Sequence, residues 1–129
     1  IDIFNDNNLH FSSDDDQLKI NFDRTQLIRV ITNLVKNAQQ ATADVAQPSI
    51  HITVQSGEKN ITLQIADNGR GIAEEDQHRI FEPKFSTKSK GMGLGLGMVK
   101  NIVENYGGTI SFESKINKGT KFTISLPKK

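Results

Sequence analysis

Apolar and polar residues alternate in six short stretches of the chain, a pattern typical of strands with one buried face. These stretches are residues 1–4, 18–22, 50–54, 61–65, 109–113 and 121–126. The first two flank a polar segment that we expect to be a loop. The other four form two hairpins, because turn residues rich in Gly, Asn, Ser and Lys separate the members of each pair.

Two segments carry an apolar period of three to four residues, which predicts two long helices. The first begins after Asp23, which can cap it, with Gln26 reaching back in a capping box, and it ends near Ala43. Its apolar stripe consists of Leu27, Ile31, Leu34, Ala38 and Ala41. The second begins at Gly95, and its buried face carries Val99, Ile102, Val103 and Tyr106. A short helix is predicted over residues 73–80.

The order of these elements predicts an α+β fold, a two-layer α/β sandwich in which helices cover one face of a mixed sheet. With 129 residues the chain can build one hydrophobic core, so we expect a single domain over residues 1–129. The chain starts inside an apparent strand with no initiator methionine, which predicts a fragment of a longer protein.

Composition excludes several classes of site and partner. The net charge of +1 offers no basic surplus, so we expect no nucleic-acid partner. The absence of cysteine excludes disulfides, thiolate metal sites and cysteine nucleophiles, and a cytoplasmic setting is the default expectation. Because the longest weakly polar run has nine residues, we expect no membrane contact by this chain.

Three polar side chains have no obvious structural purpose in the predicted elements. Strand alternation carries from Ile61 to Asp67, so a carboxylate falls on the core face, where it needs a donor from the protein or from a ligand. Asn33 and Asn37 lie one helical turn apart at the edge of the first helix's apolar stripe. Alone they would pass as solvated helix residues.

Six of the ten glycines fall in two clusters, and the second cluster opens a helix. They are Gly69, Gly71, Gly91, Gly93, Gly95 and Gly97. Backbone N–H groups at such a helix start can bind a phosphate, although a flexible connector fits the glycines equally well. The sequence has no Gly-Lys pair and hence no Walker A loop, and no glycine or alanine lies where a dinucleotide fingerprint requires one.

Five motifs in order resemble those of the ATP-binding catalytic domain of bacterial sensor histidine kinases, a superfamily shared with DNA gyrase, heat-shock chaperone and mismatch-repair ATPases. They are NLVKNA (33–38), DNGRGI (67–72), FEPKF (81–85), GMGLGL (91–96) and GT (119–120). The Phe-Glu-Pro box and the short segment after it are most similar to the nitrogen-regulation type. The resemblance implies a Bergerat-type ATP-binding fold.

The resemblance also implies site residues for ATP and Mg²⁺. Asp67 would accept a hydrogen bond from the adenine 6-amino group, and Thr120 would reach the adenine through its hydroxyl. Asn37, with Asn33 assisting, would hold Mg²⁺ and position ATP. The remaining nucleotide contacts implied are the backbone at Gly69 and Gly71, the pocket walls Ile72 and Phe85, the lid lysines Lys88 and Lys90, and the phosphate loop with Gly91, Gly93, Leu94, Gly95 and Leu96. Lys88 and Lys90 would serve equally as solubilising charges.

The resemblance implies phosphoryl transfer to a histidine in two-component signalling. Relatives that hydrolyse ATP efficiently carry a Glu where this chain has Asn33, which cannot act as a general base. None of the three histidines has the context of a phosphoacceptor, so the acceptor would lie on a separate dimerisation segment of a homodimer, from which a response regulator receives the phosphoryl group. Two alternatives are a non-catalytic docking module that binds ATP and, less favoured by Asn33, a superfamily ATPase.

Overall fold

The computed structural model describes residues 9–13, 22–82 and 95–128, with only the backbone described for the first range. Five strands and three helices lie in these ranges. In chain order they are β1 (Leu9–Ser13), α1 (Arg24–Ala41), β2 (Ile50–Ser56), β3 (Asn60–Asp67), α2 (Glu74–Gln77), α3 (Leu96–Asn105), β4 (Thr109–Lys115) and β5 (Gly119–Pro127). The predicted strand at 1–4, most of that at 18–22, and Pro83 lie outside the described residues.

The strands form one mixed sheet in the order β1-β2-β3-β5-β4. The two predicted hairpins are confirmed as antiparallel pairs, and β3 joins them by pairing with β5. Strand β1 lies in the segment predicted to be a loop, and that prediction is wrong there. It pairs in parallel with β2, from Leu9 opposite Ile50 to Ser13 opposite Val54. Only two apolar residues, Leu9 and Phe11, alternate in it, so the long-range pairing and not the local pattern defines the strand.

One face of the sheet carries the hydrophobic core, and helices α1 and α3 cover it. The sheet contributes the buried residues Ile50, Ile52, Leu63, Ile65, Phe122, Ile124 and Leu126, and the helices contribute Val30, Leu34, Val35, Ala38, Ala41, Leu96, Val99, Ile102 and Val103. On the opposite face His51 and Gln55 are exposed. The predicted two-layer α+β sandwich is therefore confirmed.

Helix α1 begins at the predicted residue, but its cap is simpler than a capping box. The backbone N–H of Gln26 donates to Asp23 Oδ1 at 3.1 Å. The side-chain Oε1 of Gln26 is buried without a hydrogen-bond partner among the described residues, so the predicted return bond to Asp23 is wrong. The helix ends at Ala41, and Thr42 follows it with its hydroxyl donating to the Ala38 carbonyl at 2.9 Å.

Helix α2 has four residues where the pattern predicted eight, Glu74–Gln77. The apolar side chains on either side, Ile72 and Ile80, are both buried in the core. Turns from His78 to Phe81 replace the rest of the predicted helix. Three consecutive acidic residues favour its N-terminal turn, where they interact well with the helix dipole.

Candidate functional site

A row of four residues crosses the sheet at the end of β3 and places Asp67 next to Thr120. In the strand register Asp67 lies between Ile50 of β2 and Thr120 of β5, and Thr120 lies opposite Ser114 of β4. Strand alternation puts the four side chains on the core-facing side of the sheet. Asp67 and Thr120, which the sequence placed in one site, are therefore neighbours.

The carboxylate of Asp67 is partly buried and has an unusual proton affinity. Burial raises the pKa of Asp67 from 3.8 to about 6, against the lowering effect of backbone N–H groups of Gly69 and Thr120 and of the Arg70 charge. Gly69 N–H donates to Asp67 Oδ1 at 2.8 Å. Backbone N–H groups thus supply part of the donors that the Asp67 carboxylate was expected to need. The loss of hydration still has the larger effect and raises its pKa.

A chain of hydrogen bonds connects Thr120 to the loop that follows Asp67. The hydroxyls of Thr120 and Ser114 lie 2.8 Å apart, and the backbone N–H of Ile72 donates to Ser114 Oγ at 2.8 Å. Gln77 Nε2 donates to the backbone carbonyls of Ile72 and Ser114, at 3.1 and 3.3 Å. Sequence reasoning missed Ser114 and Gln77, although alternation along β4 would have placed Ser114 on the same face as Thr120.

The loop after Asp67 is pressed against the end of α1. A Cβ on Gly69 would lie 2.5 Å from the carbonyl oxygen of Ala41, so only glycine fits there. Arg70 N–H donates to that same carbonyl at 3.0 Å. Asn68 fixes the other side of the loop, because its Oδ1 accepts from Ser49 N–H at 2.8 Å and its Nδ2 donates to the Gln47 carbonyl at 2.9 Å.

The two asparagines of α1 differ in their surroundings. Asn37 is buried, with 4% of its surface exposed, whereas the sequence predicted that it looks out from the edge of the core. Its Nδ2 is buried without a hydrogen-bond partner among the described residues. Asn33 is half-buried, and its Nδ2 donates to the Arg29 carbonyl at 3.0 Å. Tertiary packing of α3 and the sheet around α1 accounts for the deeper burial of Asn37.

The start of α3 faces Asn33. Gly95 caps α3 in the left-handed conformation, with φ of 79°, and a Cβ there would lie 2.7 Å from Asn33 Oδ1. Asn33, Asn37 and Ala41 follow one another at intervals of four residues, so they form one line along α1. That line runs from the start of α3 to the loop beside Asp67 over about 12 Å, at 1.5 Å per residue.

The other predicted site residues divide into two groups. Ile72 and Leu96 are buried in the hydrophobic core, and Gly71 has φ of 75°. The positions outside the described residues are Phe85, Lys88, Lys90, Gly91, Gly93 and Leu94. Phe81, the first residue of the FEPKF motif, packs on the core with its ring 5.9 Å from that of Phe112.

A cleft of about 360 Å³ opens beside the Asp67 row. Its lining residues are Ala66, Asp67, Glu113, Ser114, Lys115, Lys118, Gly119, Thr120 and Lys121. Ala66, Glu113 and Lys121 point outward by strand alternation, and the last two form an ion pair at 3.9 Å. Asp67, Ser114 and Thr120 also line the cleft, so it lies at the same end of the sheet as the candidate site.

A family profile and the sequence relatives of this chain indicate the same protein family. The profile of the histidine kinase-, DNA gyrase B- and HSP90-like ATPases matches residues 22–129. The chain is 42% identical over 118 residues to sporulation kinase A of Bacillus subtilis (strain 168) and 40% identical over 119 residues to the sensor histidine kinase ZraS of Escherichia coli (strain K12). Both matches cover 92% of this chain but only 19% and 25% of the relatives, so the chain spans about a fifth to a quarter of their length.

Solved structures agree with the sequence relatives. The catalytic domain of histidine kinase ThkA, in a nucleotide-free form, superposes with a TM-score of 0.82 at 35% identity, over 94% of this chain and 78% of that one. The structure of ThkA in complex with the response regulator protein TrrA matches with a TM-score of 0.74 at 30% identity, over 94% of this chain and 34% of that one. In the described part of the chain, no helix combines the length and hydropathy needed to cross a membrane.

Proposed function

Since the chain belongs to the family of histidine kinase-, DNA gyrase B- and HSP90-like ATPases, we propose that it binds Mg-ATP and transfers the γ-phosphoryl group to a histidine of a dimerisation segment. Its place would be in two-component signal transduction, as the catalytic domain of a sensor histidine kinase. The observation that carries the proposal is the line of Asn33, Asn37 and Ala41 along α1. It joins a glycine-capped helix start to a buried carboxylate over about 12 Å, a span suited to a nucleotide.

The base end of the site suits adenine. The 6-amino group of adenine is a donor, and Asp67 offers a carboxylate acceptor in a partly desolvated position where an unmet hydrogen bond is costly. Guanine presents a carbonyl oxygen at the same place, which an ionised carboxylate repels. Thr120, the register neighbour of Asp67, adds a hydroxyl beside it. The pair therefore supports selection of adenine over guanine.

The phosphate end suits an anion and Mg²⁺. The start of α3 at Gly95 offers backbone N–H groups and the positive end of a helix dipole. The buried amide of Asn37 has an unpartnered nitrogen, and half a turn of this amide exchanges its nitrogen and oxygen. Mg²⁺ prefers oxygen ligands and keeps phosphate in its shell, so the amide oxygens of Asn37 and Asn33 fit it. When bound, Mg²⁺ would neutralise charge on the phosphates.

The side chains on α1 favour transfer over hydrolysis. An efficient ATPase needs a general base near the γ-phosphate, and Asn33 cannot accept a proton near neutral pH. Phosphoryl transfer depends mainly on positioning and charge stabilisation, which asparagine and helix N–H groups can supply. No side chain of this chain would then act beyond positioning ATP, and the acceptor histidine would come from a separate segment.

The proposal extends to a longer protein, in which residues 1–129 would form one domain. The relatives are several times longer than the matched region, and ThkA has been solved with a response regulator. We assign to this protein a dimerisation segment that carries the acceptor histidine, a homodimeric state, a response-regulator partner, a cytoplasmic catalytic domain and the nitrogen-regulation subtype.

Two measurements test the function. Calorimetric titration of a non-hydrolysable ATP analogue, with and without Mg²⁺ and against the GTP analogue, is expected to give adenine-selective binding that Mg²⁺ strengthens. Asp67→Asn should abolish it, while Asp44→Asn, at an exposed position, should leave it unchanged. Transfer of ³²P from ATP to a dimerisation segment of a relative then separates a kinase from a docking module. Binding without transfer would favour docking, and steady hydrolysis by the chain alone would favour an ATPase.

A further inference from the structure

Asn68 makes more hydrogen bonds than an exposed residue just after a strand needs. Its backbone N–H donates to the Ser49 carbonyl at 3.2 Å. Its side-chain Oδ1 accepts the Ser49 N–H at 2.8 Å, and its Nδ2 donates to the Gln47 carbonyl at 2.9 Å. All three bonds join the turn after β3 to the segment that leads into β2. The contacts proposed for ATP do not include this residue.

One of these bonds replaces part of a regular rung of the sheet. Ile50 lies opposite Asp67 in the last pair of the β2–β3 ladder, so the next pair is Ser49 with Asn68. In a regular rung of this kind, the two residues exchange both N–H···O=C bonds. Asn68 N–H does donate to the Ser49 carbonyl, but Ser49 N–H donates to the side chain of Asn68. The side-chain oxygen thus takes the place of the Asn68 backbone carbonyl.

This exchange lets the chain turn directly after β3. Because the side chain satisfies Ser49 N–H, the peptide between Asn68 and Gly69 is not held in the sheet. It turns so that Gly69 N–H donates to Asp67 Oδ1 at 2.8 Å, which closes an Asx-type turn. The same bond orients the Asp67 carboxylate, whose remaining lone pairs can accept from a ligand.

We infer that Asn68 is a positioning residue for base recognition. Its side-chain amide completes the last rung of the β2–β3 ladder, which directs Gly69 N–H to Asp67 and holds the carboxylate in the orientation that accepts the 6-amino group of adenine. This inference rests on the proposed function. Without the side-chain oxygen, Ser49 N–H takes the backbone carbonyl of residue 68, because a backbone donor without a partner is costly. The ladder then gains a regular rung, and Gly69 N–H turns away from Asp67.

Two substitutions separate the side-chain acceptor from the side-chain donor. Asn68→Ala removes both bonds, so Ser49 N–H must find another acceptor. Asn68→Asp keeps an oxygen for Ser49 N–H and loses only the donor to the Gln47 carbonyl. If the acceptor controls the turn, Asn68→Asp should behave like the wild-type chain in base recognition and Asn68→Ala should not.

Gly107→Ala is the matched control for lost stability. Gly107 has φ of 79°, a conformation that strains any residue with a Cβ. Its neighbour Pro127 lies opposite Asn60, at the far end of β3 from Asp67. The substitution should therefore destabilise the fold about as much as Asn68→Ala does, while the turn after β3 stays intact.

The test is calorimetric titration of ADP and of purine riboside diphosphate, which carries a hydrogen in place of the 6-amino group. The wild-type chain should prefer ADP about thirtyfold, as expected for one hydrogen bond to a charged acceptor. Asn68→Ala should reduce the preference to about threefold, because the turned carboxylate meets the amino group at a poor angle. Asn68→Asp should keep the wild-type ratio. Gly107→Ala should keep it too, since a smaller folded fraction weakens the binding of both nucleotides equally.

The outcomes separate the inference from the function on which it rests. A folded Asn68→Ala variant that keeps the wild-type ratio overturns the inference, even if its stability falls. An equal loss of the ratio in Asn68→Asp or in Gly107→Ala overturns it as well.

The wild-type chain itself supplies two further outcomes. Equal binding of both nucleotides overturns the inference, although nucleotide binding then stands. Failure of the folded wild-type chain to bind ADP overturns the proposed function as well. If Asn68→Ala does not fold, Asn68→Leu, which also lacks the acceptor, takes its place, and an unchanged ratio in that variant overturns the inference.

Discussion

Replacing Asp67 by Asn should stabilise the empty domain while it abolishes nucleotide binding. Burial raises the pKa of Asp67 to about 6, so the folded state binds a proton more tightly than the unfolded chain does. Ionisation of Asp67 therefore destabilises the fold, and this loss of stability begins as the pH rises above 3.8 and is complete above about 6. Asn has nearly the same shape and no charge, so the desolvation cost disappears with the substitution.

The size of the effect follows from the pKa. A rise from 3.8 to about 6 corresponds to about 3 kcal/mol of lost stability well above pH 6. Asn keeps an acceptor for the Gly69 N–H, but an amide nitrogen facing the Thr120 N–H gives back about 1 kcal/mol. We expect Asp67→Asn to raise the free energy of unfolding by about 2 kcal/mol at pH 8. Near pH 4.5 only about 1 kcal/mol of the wild-type loss is present, and the cost of the amide offsets it, so the substitution should change the free energy of unfolding little there.

Urea unfolding of wild-type and Asp67→Asn chains without nucleotide, followed by circular dichroism at about pH 8 and pH 4.5, measures this difference. Because other carboxyl groups titrate in both proteins, only the variant-minus-wild-type difference is compared between the two pH values. Asp44→Asn supplies the control. Because Asp44 is exposed, this substitution should change the free energy of unfolding by less than about 0.5 kcal/mol relative to the wild-type chain. A gain in stability that is equal at both pH values, or a loss at pH 8, would refute the reasoning.

Three further predictions concern neighbouring positions. Asn37→Leu should raise the free energy of unfolding by about 1 kcal/mol, because it removes a buried amide nitrogen that has no partner among the described residues. The same variant should abolish the Mg²⁺ dependence of ATP-analogue binding, whereas Asn101→Leu, at an exposed position, should leave that dependence intact. Gly95→Ala should lower the free energy of unfolding in urea by about 1–2 kcal/mol, because φ is 79° at this position and a Cβ would lie close to Asn33. Gly97→Ala, inside α3, should not lower it. Asn68→Ala should lower the free energy of unfolding by about 1–2 kcal/mol in the same assay, because it removes two hydrogen bonds between the Asn68 side chain and the backbone. An unchanged urea midpoint would contradict this.

The sequence predicts the parts of this fold that local patterns specify. The start of α1 after Asp23, both hairpins and the core-facing side of Asp67 each follow from period, capping or alternation within a short segment. Strand β1 and the burial of Asn37 could not be predicted in the same way. Each depends on partners distant in the chain: β2 for the strand, and the packing of α3 and the sheet for the amide.

The site shows the same division between local and long-range information. Motifs identify residues whose chemistry is distinctive, such as a carboxylate on a core face, but they pass over a serine, which is common in strands and turns. Ser114 contacts Thr120 across the hairpin and the backbone of Ile72, which is 42 residues away in the chain. Such supporting residues become visible only once the register between strands is known.

Two of the residues proposed to bind Mg-ATP share a physical property, because each holds a polar group in a poor environment while the site is empty. Desolvation raises the pKa of the Asp67 carboxyl, and the amide nitrogen of Asn37 is buried without a partner among the described residues. A ligand that donates to the first and coordinates the second relieves both penalties, so part of its binding free energy is strain already stored in the fold. The substitutions that most stabilise the empty domain should therefore be those that most weaken binding, and a variant at either position that gains stability and keeps full affinity would disprove this link.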